Sequence, residues 1–176
     1  MVNDMIPFDL SLIKACLFDV DGVLSKTTVS LDAGGMPCRT ANIKDGYAIQ
    51  LAMKVGLRIG IVTGALLPSI RERYVALGVE DIYLGASAKC QALEDFCQRH
   101  QLMPAEVLFM GDDIPDYEVM RCCGLPCCPS DAAPEVKSIS TYVSPLRGGE
   151  GCVRDVLEQI LREKGFWMKG PAALAW

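Results

Sequence analysis

Asp19 and Asp21 stand one residue apart in Phe18-Asp19-Val20-Asp21-Gly22, directly after the apolar run Ala15-Cys16-Leu17. Asp and Gly extend strands poorly, so the pair is expected where a buried strand gives way to a turn. There, one carboxylate can attack as a nucleophile while the other exchanges a proton with a leaving group. Three further stretches carry matching groups. Thr63-Gly64 closes the run Ile59-Gly60-Ile61-Val62, and its hydroxyl and backbone N–H groups suit a phosphate. Lys89, after Gly85-Ala86-Ser87, opens a helical pattern at the end where the macrodipole disfavours a cation. That placement suggests a task, such as neutralising a phosphate or crowded carboxylates. Gly111-Asp112-Asp113-Ile114-Pro115-Asp116 crowds three acids that repel one another without a cation. Mg²⁺ fits, because it takes oxygen from one or two carboxylates, water and substrate phosphate. Each signal alone has a plain reading: a solvated turn, a common Thr-Gly turn, an exposed lysine, an Asp-rich helix cap. Four of them, each just after a strand pattern, point to one site.

The elements that must position these groups alternate. Residues 14–20, 58–63, 81–84 and 107–110 read as strands, with 125–128 a fifth and 141–144 an edge sixth. Helical patterns cover 45–55, 68–77, 87–100, 116–122 and 151–163. This order predicts an α/β fold, a three-layer α/β/α Rossmann-like parallel sheet. In such a sheet, groups just past successive strands converge on one edge. Residues 25–42 break the rhythm: two β-prone arms flank Asp32-Ala33-Gly34-Gly35, the pattern of a β-hairpin. It is too short for a cap domain and is expected to be a flap over the site or a subunit contact.

The bulk properties narrow the classes. The 176 residues, 51% hydrophobic and 22% charged, are enough for one domain with its own core, with 25–42 a flap and 165–176 a tail. A net charge of −5 argues against nucleic acid as the partner. No apolar run is long enough to span a bilayer, and no secretory leader pattern is seen, so a cytoplasmic protein with no membrane partner is expected. Nine cysteines then read as reduced thiols. The cluster Cys122-Cys123-Gly124-Leu125-Pro126-Cys127-Cys128 lacks the second knuckle of a structural zinc site, and His100 is the sole histidine. It is expected to be small apolar residues around a helix end.

FDVDGV, IVTG, Lys89 and GDDIPD together resemble the four motifs of the haloacid dehalogenase superfamily. Asn42-Ile43-Lys44-Asp45-Gly46-Tyr47, Arg73, Leu77-Gly78 and Gly148-Gly149-Glu150-Gly151 extend the resemblance to one branch, the 3-deoxy-D-manno-octulosonate 8-phosphate phosphatases, with relatives acting on nonulosonate 9-phosphates. The resemblance implies that Asp19 attacks phosphorus and forms an aspartyl-phosphate, while Asp21 protonates the leaving sugar oxygen and then activates water. It implies Mg²⁺ held by Asp19, the backbone carbonyl of Asp21, and Asp112, with Asp113 and Asp116 around it orienting Lys89. Thr63, Gly64 and Lys89 would bind the phosphoryl group, and Arg73 the sugar-acid carboxylate, which an Arg fork can grip with two hydrogen bonds.

One position departs from the branch: the residue after Thr63-Gly64, typically Arg in octulosonate enzymes, is Ala65. A charged contact to the sugar acid is then absent or supplied from elsewhere, such as Lys44, Arg39 or another subunit. The resemblance further implies a homotetramer built through the hairpins. The apolar tail, with Phe166, Trp167, Met168 and Trp176, is expected to dock on a subunit interface or over a neighbour's site. The product would feed lipopolysaccharide precursor synthesis. Two rivals stay open: a nonulosonate 9-phosphate phosphatase, and a non-catalytic assembly partner, the latter disfavoured by the intact acid and lysine set.

Overall fold

The computed structural model describes residues 5–174. Six strands form one parallel sheet: β1 (Ala15–Phe18), β4 (Arg58–Thr63), β5 (Asp81–Leu84), β6 (Val107–Met110), β7 (Leu125–Cys128) and β8 (Tyr142–Val143), in the order β5-β4-β1-β6-β7-β8. The first strand therefore lies in the middle. It pairs with β4 and β6 through Phe18, which sits opposite both Ile61 and Met110. All four β1 residues are buried, as expected of a strand covered on both faces.

The six helices are α1 (Ile43–Lys54), α2 (Pro68–Val75), α3 (Lys89–His100), α4 (Tyr117–Cys122), α5 (Pro134–Ile139) and α6 (Cys152–Glu163). Two apolar clusters show how they layer. Cys16 and Phe18 pack with α1, α2 and α6 through Leu51, Tyr74 and Leu157. Ala15 and Leu17 pack with α3, α4 and α5 through Phe96, Met120 and Val136. The alternation of β1 side chains thus divides one sheet into two cores, and the result is the expected three-layer α/β/α fold.

The expected elements form with shifted ends, α1 starting at Ile43 rather than at 45. β1 is shorter than 14–20, because Asp19 and Val20 already belong to the turn, and α3 starts at Lys89 rather than at 87. Helix α5 was not expected, since six residues with one buried side chain, Val136, carry no readable period. The hairpin reduces to two-residue arms, β2 (Ser30–Leu31) and β3 (Pro37–Cys38). Cys127 and Cys128 are buried in β7 and all nine cysteines are unpaired.

The tail turns back on its own chain as far as residue 174. Trp167 is buried between α1 and α6. It meets Tyr47 edge-on at 5.8 Å, and the Arg154 guanidinium lies 4.2 Å from its ring centre. The Tyr47 hydroxyl donates to the carbonyl of Ala173. Trp167 thus finds its cover within the subunit, while Phe166 and Met168 stay exposed. Trp176 lies outside the described residues.

Candidate active site

The sheet order explains where the site forms. The chain steps from β1 outward to β4 and β5, then returns to β6 on the other side. Beyond the strand ends, β1 and β6 diverge into a crevice at this switch point. Asp19 follows β1 directly, and its amide donates to the carbonyl of Met110, the last residue of β6, at 3.0 Å. Asp112 lies two residues past β6. It approaches the turn so closely that a Cβ on Gly22 would fall 1.9 Å from its Oδ2. Gly22, at φ +83°, supplies both the turn and the space.

Asp19, Asp112 and Asp116 each bring a carboxylate oxygen within 4.8 Å of the others, and all three are buried. Lys89 Nζ donates to Asp116 Oδ1 at 2.6 Å and pairs with Asp19 Oδ1 at 3.0 Å. Asp116 Oδ2 accepts the amides of Asp112 and Asp113 at 3.1 and 3.4 Å. Both Asp116 oxygens are therefore occupied, so it braces the Lys89 ammonium and the loop. Asp113 is exposed and contributes its amide.

Burial, then the neighbouring Asp116 charge, push Asp19 up to about 7 despite Lys89. Burial, then Asp19, Asp116 and Asp113, push Asp112 up to about 8. Asp19 and Asp112 thus form a dry, crowded oxygen pair whose repulsion a divalent cation would relieve. Mg²⁺ fits this donor set.

Thr63 ends β4 and is buried, its hydroxyl accepting the Ala65 amide at 3.1 Å. A cavity of about 560 Å³ gathers Asp19, Asp21, Thr63, Gly64, Lys89 and Asp112, so four strand ends meet in one chamber. Asp113 and Asp116 also line it.

Two expected substrate contacts lie elsewhere. Arg73, on α2, lines an adjoining cleft with Pro37, Thr40 and Tyr74, and its guanidinium passes the open face of Gly46. Lys44 is exposed on the first turn of α1. Neither lines the chamber within one chain. The residue that does is Arg39, just past β3. Its Nε and Nη2 donate to Asp21 Oδ1 and Oδ2 at 2.7 and 2.8 Å. The sequence offered Arg39 only as one spare cation among several, because its pairing with Asp21 exists only once the hairpin folds over the turn.

Known proteins share this fold and part of this sequence. The sequence profile of haloacid dehalogenase-like hydrolases matches residues 78–154. The 3-deoxy-D-manno-octulosonate 8-phosphate phosphatase of Escherichia coli K12 is 33% identical over 153 residues, 87% of this chain and 81% of that one. The crystal structure of the phosphatase of that name from Yersinia pestis superposes with a TM-score of 0.87 at 30% identity, over 93% of this chain and 88% of that one. The Moraxella catarrhalis phosphatase, solved with magnesium, phosphate and KDO, gives a TM-score of 0.85 at 27% identity, over 90% of this chain and 91% of its own.

Proposed function

Since this chain belongs to the 3-deoxy-D-manno-octulosonate 8-phosphate phosphatases, a branch of the haloacid dehalogenase-like hydrolases, we propose that it is a Mg²⁺-dependent phosphoric monoester hydrolase that releases phosphate from that sugar acid. The carrying observation is the convergence of Asp19, Asp21, Thr63, Lys89 and Asp112 on one chamber.

In this reading, Asp19 attacks phosphorus and becomes an aspartyl-phosphate, while Asp21 gives a proton to the departing sugar oxygen. Asp21 then takes a proton from the water that cleaves the acyl phosphate. Lys89, held by Asp116 and Asp19, and the Thr63–Gly64 turn hold the phosphoryl oxygens. Asp19, Asp112 and the backbone carbonyl of Asp21 would hold Mg²⁺, which supplies charge stabilisation for the transferring group. Arg73 and Lys44 are assigned to the outer substrate region, Arg73 in the cleft that Arg39 shares with the chamber.

We place the reaction in the cytosol and in lipopolysaccharide precursor synthesis. The unpaired cysteines support the compartment, and among the described residues no helix is long and apolar enough to cross a membrane. We assign a homotetramer joined through the hairpins, where Leu31 and Met36 are exposed.

Phosphate release with Mg²⁺ tests the reading. Octulosonate 8-phosphate should exceed a nonulosonate 9-phosphate and hexose phosphates by about 100-fold or more in kcat/KM, roughly 2.7 kcal/mol of discrimination. A flat profile would remove the substrate assignment and leave the hydrolase chemistry.

A further inference from the structure

The chamber has two cationic lining residues, Lys89 and Arg39. The Lys89 ammonium is already shared between two buried carboxylates. Arg39 also lines the adjoining cleft that holds Arg73, so it stands at the opening between the two spaces.

Its guanidinium is only partly used. Nε and Nη2 occupy both oxygens of Asp21, while Nη1 is enclosed without a hydrogen-bond partner. A buried N–H with no acceptor is costly and favours an arrangement that supplies one. Asp21 is constrained in turn, because the fork takes an acceptor site on each of its oxygens and fixes the carboxylate's orientation. The backbone next to Arg39 is fixed. The Thr40 amide donates to Ser25 Oγ at 3.1 Å, and Thr40 Oγ1 accepts the Lys26 amide at 3.1 Å. The side chain can therefore change partner about a fixed pivot. Ala65, at the mouth of the chamber, offers no competing charge.

We propose that Arg39 is a specificity-determining latch: it holds Asp21 in the free enzyme and transfers its fork to the carboxylate of the bound sugar acid, which frees Asp21 for the leaving oxygen. The inference rests on the sugar-acid reading above. No covalent bond changes in the exchange. One bidentate carboxylate pair replaces another of similar strength, and the spare Nη1 comes within reach of a new acceptor. A neutral sugar phosphate brings no carboxylate, so the Asp21 pair stays closed. Discrimination then falls on kcat as well as KM, since the catalytic group itself is withheld.

The test compares octulosonate 8-phosphate with mannose 6-phosphate in the wild type, Arg39→Ala, Arg39→Lys and Arg39→Gln, using the full chain with Mg²⁺. The wild type should favour the sugar acid in kcat by about tenfold or more. Arg39→Ala leaves Asp21 free for either substrate, so kcat for mannose 6-phosphate should rise towards that for the sugar acid, bringing the kcat ratio near one, while KM for the sugar acid increases. Arg39→Lys, with charge but no fork, should fall between. Arg39→Gln repeats the test without the charge if alanine disturbs the hairpin. Equal losses on both substrates, or a change in KM alone, overturn the latch and leave the substrate reading standing. A wild type that turns over both substrates equally overturns the two together, and does so before any variant is made.

Discussion

Asp19 is a nucleophile only while it is ionised, and its surroundings oppose that. Asp19→Asn keeps the shape and removes the attacking oxygen. Activity should fall by about 10³-fold or more, with the fold retained; retained turnover would exclude the covalent route. Without a cation, Asp19 lies near 7 and Asp112 near 8. Protons and Mg²⁺ therefore compete for the same oxygens. Because both carboxylates are raised, they carry protons below these values and lose them above. Mg²⁺ affinity should rise with pH across about 6 to 8, up to roughly tenfold per unit for each proton displaced. Calorimetric titration at three pH values checks this, and a flat affinity would mean the metal binds elsewhere. These acids were legible in the sequence because Asp and Gly interrupt apolar strands. Arg39 was not, because its contact spans a folded hairpin.

At the scale of elements, α1 carries a strain of its own. Asp45 is buried in its first turn, accepting the Arg154 amide at 2.7 Å through Oδ1, while Oδ2 has no partner. Burial raises it to about 6. The folded state then binds a proton more tightly than the unfolded chain, so stability declines as pH rises from about 4 to 6 and stays lower above. Asp45→Asn keeps the Oδ1 acceptor and removes the charge. It should stabilise the protein by about 1–3 kcal/mol at pH 7.5 and by nothing near pH 4, as read from denaturant midpoints. An equal shift at both pH values would mean the charge is not the cause. Trp167 works in the opposite sense: it seals α1 against α6. Trp167→Ala should cost about 3 kcal/mol and lower Tm by roughly 6–12 °C; a smaller shift would mean the tail is dispensable. The alternation of strands and helices was readable from periodicity. The docking of the tail was not, since apolar residues announce that they need cover without saying where. Helix α5 is too short to show a period.

The whole molecule depends on one ordering, with the first strand at the centre of the sheet. The hairpin projects from that centre with Leu31 and Met36 exposed. Replacing both with Asp should convert the proposed tetramer to smaller species, as light scattering would show; an unchanged mass would place the contact elsewhere. The three-layer architecture could be read because parallel sheets impose helices between strands. Oligomer geometry could not, because an exposed apolar side chain does not name its partner. The central position of β1 also sets a schedule. Ala15–Phe18 leave the ribosome early, yet their second neighbour, Val107–Met110, is made only after some 5–20 s of further synthesis at about 5–20 residues per second. During that interval a fully apolar strand edge waits unpaired, and such non-local pairing also slows folding itself. The same topology that brings four strand ends to one chamber leaves the nascent chain exposed to aggregation until β6 arrives, and makes partial activity in a C-terminally truncated chain unattainable before that point.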